Sequence, residues 1–124
     1  MNTTIKKENG VVFTPEWVVD FMVEEVFNSR KISGNERILD AGCGEGVFST
    51  IAARKFSKLS GKKIEEVIED NIYFADISEE YIKKTKQNLQ SLSKTKIKKY
   101  NAITDDFCFH KFDEKFDFMI GNPP

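Results

Sequence analysis

The stretch RILDAGCGEG, residues 37–46, decides how this chain folds. Its first half is a short, mostly apolar run, which is typical of a buried β-strand. The three glycines that follow at every second position, Gly42, Gly44 and Gly46, predict a tight turn, because glycine adopts positive φ and lets other groups approach the backbone closely. Apolar residues at helical spacing resume at Phe48. This order predicts the first β-α unit of an open α/β sheet.

Strand-like and helix-like segments alternate along the rest of the chain. Further apolar runs predict strands over residues 72–76, 97–103 and 116–120, and helical periodicity separates most of them. Strands joined through helices pair in parallel, with right-handed crossovers. Residues 64–71 fit either an extra helical turn or an insertion. The expected fold class is therefore α/β, a partial doubly wound, Rossmann-like parallel sheet with an amino-terminal helix.

Capping residues indicate where two of the helices begin. Thr14 is the expected cap of the amino-terminal helix, with Pro15 in its first turn, and Ser78 is the expected cap of the last helix. Apolar spacing predicts the buried face of each helix. The expected buried positions are Val19, Met22, Val23 and Val26 in the first helix, Phe48, Ile51, Ala52 and Leu59 after the glycines, and Tyr81, Thr85, Leu89 and Leu92 in the last.

Composition restricts the possible functions. A chain of 124 residues with 40% hydrophobic residues and a net charge of −1 is one domain or part of one, without the basic excess of many nucleic-acid-binding domains. We expect residues 1–10 to be a flexible lead-in and residues 11–124 to form one unit. Cys43 and Cys108 lie far apart and His110 has no partner pattern, so we expect a reducing cytoplasm and no metal site. No long apolar run predicts a membrane span.

Acidic residues end the first two predicted strands, where open α/β sheets bind ligands. Asp40 precedes a G-x-G-x-G turn, which is neither the dinucleotide pattern nor a phosphate loop. A carboxylate at that point suits a cationic, amine-bearing ligand better than a pyrophosphate. Asp76 can accept hydrogen bonds from both hydroxyls of a ribose, although it could also cap the next helix. Ile77 fits either a ring contact or the core.

Four short motifs, in this order, resemble the S-adenosylmethionine-dependent DNA adenine-N6 methyltransferases of restriction–modification systems. They are Phe13-Thr14-Pro15, the glycine turn with its aspartate, Asp106-Phe107 after the third strand, and Asn122-Pro123-Pro124 after the fourth. The resemblance implies a class I methyltransferase fold with S-adenosylmethionine as cofactor. It implies that Thr14 and Pro15 lie near the methionine end of the cofactor. It also implies that Asp106 accepts from the cofactor's adenine amino group and that Phe107 contacts its ring.

The same resemblance assigns the chemistry to Asn122, Pro123 and Pro124. An exocyclic adenine amine is a weak nucleophile because its lone pair is delocalised into the ring. By resemblance, the side-chain oxygen of Asn122 and the carbonyl of Pro123 accept the two amine hydrogens and stabilise the developing positive charge. The prolines stiffen this segment by fixing φ. The family's motif continues with an aromatic residue that stacks on a flipped base, and this chain ends before that position.

The resemblance covers nearly the whole chain but only the amino-terminal part of such an enzyme. We therefore expect DNA to be read by a recognition region outside these residues, and the isolated chain to be inactive without the remainder of the enzyme or a partner subunit. The fourth strand should be a bare sheet edge. Two alternatives stay open, a protein-glutamine N5-methyltransferase fragment and a non-catalytic cofactor-binding module. The Phe13-Thr14-Pro15 element close before the glycine turn favours DNA as the substrate.

Overall fold

Four parallel strands form the main sheet of this protein. The structure is a computed structural model that describes residues 5–6, 12–105 and 115–121, with the backbone alone for residues 5, 6, 12 and 13. The strands are β1 Ile5–Lys6, β2 Val12–Phe13, β3 Ile38–Ala41, β4 Ile72–Asp76, β5 Asn101–Thr104 and β6 Phe118–Gly121. The helices are α1 Glu16–Asn28, α2 Val47–Ser60, α3 Ile64–Asp70 and α4 Glu79–Gln90.

The chain winds outward from β3 in both directions. It passes from β3 to β4 and β5 on one side, and β6 then pairs with β3 on the other side. The strand order thus reverses between β3 and β6, and we call the carboxyl ends of these two strands the switch point. The predicted doubly wound parallel sheet is confirmed. Crevices at such a reversal are where open α/β sheets bind ligands.

Apolar side chains bury the central strand on both faces, as is typical of parallel sheets. On the helix-covered face, Phe27 of α1 packs edge-on against Phe56 and Phe118, with ring centroids 5.7 and 5.2 Å apart. On the opposite face a smaller group forms around Leu39, against which Phe116 also packs. The core therefore fixes β3 between two apolar layers and leaves its carboxyl end as the start of the glycine turn. No helix in the described part of the chain is long and apolar enough to cross a membrane.

The predicted cap of the first helix is wrong. Pro15 is the N-cap of α1, and within the described residues no side chain caps this helix. The Pro15 carbonyl instead accepts hydrogen bonds from the N–H groups of Val18 and Val19 at 3.0 and 3.1 Å. Pro15 has extended backbone angles, with φ −55° and ψ 142°, so it continues the direction of β2 and cannot be the first helical residue. Strand β2 pairs antiparallel with β1, whose two residues lie in the stretch predicted as a lead-in.

Burial departs from the helical pattern at several positions. Met22 and Leu59 were expected in the core but are 41% and 53% exposed. In α4, Tyr81 is only half-buried and its neighbour Ile82 is buried instead. The strand predicted over residues 97–103 is shorter in the structure. It is β5, which begins at Asn101, and Ile97 is buried in the loop before it.

Two buried polar side chains organise the amino-terminal ends of β3 and β4. The Asn71 amide donates to the carbonyl oxygens of Gly34 and Glu36 at 3.1 and 2.7 Å. Burial would raise the pKa of Glu36, but hydrogen bonds, chiefly from the backbone N–H groups of Ser33 and Gly34, hold that pKa below its usual value. This polar cluster lies at the end of the sheet opposite the switch point and fixes the turn that leads into β3.

Gly121 ends the edge strand β6, which pairs only with β3 among the described strands. Its φ is +116°, in the region that favours glycine. A Cβ at this position would lie 2.7 Å from Asp40 Oδ1 and 2.9 Å from the Ala41 nitrogen, and it would also contact the Ala41 carbonyl oxygen. The backbones of β3 and β6 therefore meet at the switch point with no room for a side chain.

We predict that Gly121→Ala destabilises the fold far more than Gly61→Ala. Gly61 also has positive φ, at +76°, but no described atom lies within 4 Å of the position a Cβ would take. Positive φ alone should cost about 1–2 kcal/mol, and the clash at Gly121 should raise the loss to about 3 kcal/mol or more. Urea unfolding of both variants measures the difference. Equal losses of unfolding free energy in the two variants would contradict the close packing of β3 against β6 at Gly121.

Candidate functional site

The glycine turn, residues 42–46, connects β3 to α2. Gly42, Gly44 and Gly46 have φ values of 69°, 55° and 90°, so all three use the conformation that glycine permits. The N–H of Cys43 donates to the Ala75 carbonyl of β4 at 2.9 Å, which attaches the turn to the neighbouring strand. Gly46 is the N-cap of α2. The turn thus connects the buried strand β3 directly to α2, with only five residues between them.

Asp40, the residue before Ala41 at the end of β3, is fully buried and binds the start of α2. Its Oδ2 accepts hydrogen bonds from the backbone N–H and the hydroxyl of Ser49 at 3.1 and 2.6 Å. Its Oδ1 is buried and has no hydrogen-bond partner among the described residues. Gly121 lies against that oxygen. Asp40 therefore presents an unused acceptor at the switch point.

Burial raises the pKa of Asp40 to about 7. The hydrogen bonds from Ser49 oppose this rise, and the nearby charge of Asp76 adds to it. A carboxyl group in this state carries a proton in part of the molecules near neutral pH. Ser49 was missed by the sequence analysis, because a serine inside the first turn of a helix gives no signal of a partner in the preceding strand.

Asp76 and Ile77 lie beside the turn at the end of β4. Asp76 Oδ2 accepts from the Gly44 N–H at 3.0 Å, and Oδ1 accepts from the Ser78 N–H at 2.9 Å. A carboxylate offers about four acceptor positions, so two further donors can be accommodated. The Ile77 side chain is 73% exposed next to it. The structure thus brings Asp76 and Gly44 into direct contact and leaves an apolar surface beside them.

An apolar pocket of about 280 Å³ opens at the switch point. It is lined by residues of α1, α2 and the two strand ends, namely Met22, Val26, Ala41, Phe48, Met119, Ile120 and Gly121. A larger groove of about 420 Å³ lies elsewhere, and every residue that lines it belongs to α1 or α2. Its charged side chains include Lys55, which forms ion pairs with Asp20 and Glu24. The strand ends, not this groove, hold the sequence-predicted residues.

The remaining predicted residues have different positions. Thr14 and Pro15 are half-buried just before α1, and Gly42 lies in the turn itself. The residues that lie outside the described part of the chain are Asp106, Phe107, Asn122, Pro123 and Pro124. Their assignments stay predictions.

Cys43 is buried within the glycine turn. Burial raises the pKa of its thiol to about 12, so the group stays protonated at neutral pH and is not a nucleophile. Within the described ranges, no group of three or more His, Cys, Asp or Glu side chains is placed to hold a metal ion.

The fold and the site together define a class of protein. It is a doubly wound α/β domain with a glycine turn and two acidic residues at the carboxyl ends of its strands. The family described as "Methyltransferase domain" matches residues 32–123. The chain belongs to this methyltransferase family. The parallel four-stranded sheet and the helices of the chain are consistent with the class I methyltransferase fold predicted from the sequence.

Similar proteins carry names from restriction–modification and from RNA modification. The chain is 28% identical over 121 residues to "Type II methyltransferase M.CvrRI" of Paramecium bursaria Chlorella virus XZ-6E, covering 96% of this chain and 25% of that protein. It is 29% identical over 94 residues to "tRNA1(Val) (adenine(37)-N6)-methyltransferase" of Bacteroides thetaiotaomicron, covering 75% and 34%.

A solved structure agrees with the fold. It is a modification subunit of a putative type I restriction enzyme from Vibrio vulnificus YJ016, with a TM-score of 0.62, 22% identity, and coverage of 94% of this chain and 24% of that one. The chain thus spans about a quarter to a third of the length of these proteins. The methyltransferase family match and the name of the viral relative confirm the predicted resemblance to restriction–modification methyltransferases.

The raised pKa of Asp40 predicts a pH dependence of stability. Between the usual value of 3.8 and about 7 the folded chain keeps a proton that the unfolded chain has lost. The free energy of unfolding should therefore fall as pH rises through this window, by an order of a few kcal/mol, and level off above about pH 7. Asp40→Asn should remove this contribution.

Urea unfolding of both forms from about pH 4 to about pH 8 tests this linkage. Asp70→Asn, at a 61% exposed side chain, is the control and should follow the unmodified protein. A difference between the unmodified protein and Asp40→Asn that stays constant across the window would contradict the raised pKa.

Proposed function

We propose that this chain is the cofactor-binding part of a site-specific DNA adenine-N6 methyltransferase that uses S-adenosylmethionine. The observation that carries the proposal is the contact between the glycine turn and Asp76 at the carboxyl edge of the sheet. It combines an open backbone surface, a carboxylate with acceptor capacity and an exposed apolar neighbour. These are the features that a nucleoside with a free ribose requires.

The described residues fit such a cofactor in four respects. Asp76 has acceptor positions for two ribose hydroxyls, and Ile77 offers an exposed apolar face for the adenine. No described atom lies within 4 Å of the Cβ position at Gly44, so the backbone there can be approached closely. Asp40 has a buried oxygen, without a hydrogen-bond partner among the described residues, that would accept a hydrogen bond from the amine end of the ligand. Thr14, Pro15, Gly42, Asp106 and Phe107 complete the proposed cofactor site.

The proposed reaction places acceptors for the substrate amine on Asn122 and Pro123, with Pro124 stiffening the segment. The cofactor supplies an electrophilic methyl group when bound. The side-chain oxygen of Asn122 and the carbonyl of Pro123 hold the two hydrogens of the adenine amine and stabilise positive charge at its nitrogen. Gly121, which directly precedes this segment in the sequence, lies against Ala41 at the switch point.

Partners and location are part of the same proposal. With a net charge of −1, the chain lacks the basic excess expected of a surface that holds DNA by itself. We assign DNA recognition to a region outside these residues, supplied by the remainder of the protein or by a partner subunit. The relative named as a modification subunit supports the second arrangement. We also propose a cytoplasmic location, as expected from two cysteines that lie far apart in the sequence.

A second candidate substrate is the adenine of an RNA. The relative from Bacteroides thetaiotaomicron carries the name of a tRNA adenine-N6-methyltransferase at similar identity, and the same weak amine must be activated in DNA and RNA. A glutamine amide, or no substrate at all in a cofactor-binding module, are the remaining alternatives. The Phe13-Thr14-Pro15 element still favours DNA.

We predict methyl transfer to DNA only when the remainder of the parent protein is supplied. The assay follows tritium from labelled S-adenosylmethionine into unmethylated duplex DNA, tRNA and a glutamine peptide, with the chain alone and with the added part. Asn122→Ala should lower the rate about 100-fold or more, as loss of one transition-state acceptor does. Asn35→Ala, at an exposed position in the turn before β3, is the matched control.

Each alternative gives a different pattern in this assay. Transfer to tRNA alone would favour the second candidate, and transfer to the peptide alone would favour the glutamine enzyme. Turnover by the isolated chain would contradict the expectation that it is an incomplete enzyme. An undiminished rate in Asn122→Ala would contradict the assignment of that residue.

A further inference from the structure

Helix α4 lies directly against the glycine turn and binds it through side chains. The buried Thr85 hydroxyl lies 2.9 Å from the Gly44 carbonyl oxygen and 3.3 Å from the sulfur of Cys43. Three residues later, on the same side of the helix, the Asn88 amide donates to the Glu45 carbonyl oxygen at 2.6 Å. Two consecutive carbonyl groups of the turn are thus held by one helix.

The opposite side of the turn is held by β4. The Cys43 N–H donates to the Ala75 carbonyl, and the Gly44 N–H donates to Asp76. The turn is therefore fixed between a strand that contributes a proposed ligand-binding carboxylate and a helix whose Thr85 and Asn88 side chains hold two of its carbonyl groups. The orientation of each peptide group follows from these opposed contacts.

The glycines of the turn serve two different purposes. At Gly46 a Cβ would lie 2.9 Å from the Thr85 methyl carbon and 3.1 Å from the Thr85 Cα, so α4 comes too close for any side chain. At Gly44 no described atom lies within 4 Å of the corresponding point. Gly46 permits the contact with α4, whereas Gly44 leaves the other side of the turn open.

We propose that Thr85 and Asn88 are positioning residues that hold the glycine turn in the conformation that binds the cofactor. No peptide bond of the described residues is cis, and in a planar trans peptide the C=O and N–H groups point in opposite directions. Thr85 and Asn88 hold the carbonyl groups of Gly44 and Glu45 against α4. The N–H of Glu45, which shares a peptide group with the Gly44 carbonyl, therefore points away from α4. This inference rests on the proposed function, since cofactor affinity is what the positioning serves.

The physical effect is preorganisation. A turn with three glycines has many accessible conformations when it is free. If a ligand binds only one of them, its apparent dissociation constant is the intrinsic value divided by the fraction of molecules in that conformation. Removal of either side-chain contact should raise the dissociation constant of the cofactor about tenfold. The protein should stay folded, because neither contact belongs to the main apolar core.

The test compares two variants with three controls. Thr85→Val keeps the branched shape against Gly46 but removes the hydroxyl, and Asn88→Ala removes the amide. Thr85→Ser restores a hydroxyl, and Gln87→Ala changes an exposed residue of the same helix. Leu89→Ala lowers overall stability by emptying a buried apolar position on α4, one turn after Thr85. Calorimetry with S-adenosylhomocysteine and amide hydrogen exchange at residues 44–46 are measured on the full chain, under conditions where each variant is folded.

We expect Thr85→Val and Asn88→Ala to bind about tenfold more weakly and to exchange faster at residues 44–46, with Thr85→Ser close to the unmodified protein. Gln87→Ala and Leu89→Ala should keep both the affinity and the local protection. Unchanged affinity and exchange in both Thr85→Val and Asn88→Ala would overturn the inference, as would an equal loss of affinity in Leu89→Ala. An unmodified protein that binds no cofactor would overturn the proposed function, and hydrogen exchange would still decide whether α4 holds the turn.

Discussion

The connection from β3 to α2 is the constraint on which the rest of this structure depends. A strand buried on both faces has to end and a helix has to begin within the few residues of the glycine turn. Positive φ at Gly42, Gly44 and Gly46 makes this possible. Asp40 then joins the two elements directly through Ser49. Strand β6 completes the arrangement by approaching the end of β3 at Gly121, where no side chain fits.

The two acidic strand ends differ in environment, and the difference suggests different roles. Asp40 is fully buried, its pKa is raised to about 7, and one of its oxygens holds the start of α2. Asp76 is half-buried and accepts backbone hydrogen bonds on each oxygen. Asp40 therefore shapes the site through one oxygen and keeps the other as a buried acceptor, while Asp76 offers acceptor positions on a half-buried side chain. Sequence position alone makes the two residues look equivalent.

The strands and the acidic residues at their ends could be predicted because they depend on local pattern. Apolar runs identified β3, β4 and β6, and parallel pairing then required Asp40 and Asp76 to share one edge. The cap of α1 could not be predicted, because Pro15 has the extended backbone that follows β2, and the helical pattern gives no sign that β2 pairs with β1. Contacts made by Thr85 and Asn88 join residues more than 40 positions apart. The helical pattern places Thr85 on the buried face but does not show which group it contacts, and a polar residue such as Asn88 usually faces solvent.

The most direct test is to map where S-adenosylhomocysteine binds the chain by following its amide resonances during titration. The proposed site predicts shifts concentrated at Gly44, Asp76 and Ile77, and a dissociation constant raised about tenfold or more by Asp76→Ala, since a hydrogen-bonded charged group is lost. Asp70→Ala, at an exposed acid, should bind like the unmodified protein. Shifts confined to the charged groove between α1 and α2, or equal affinity of the unmodified protein and Asp76→Ala, would contradict the placement of the cofactor at the glycine turn and the end of β4.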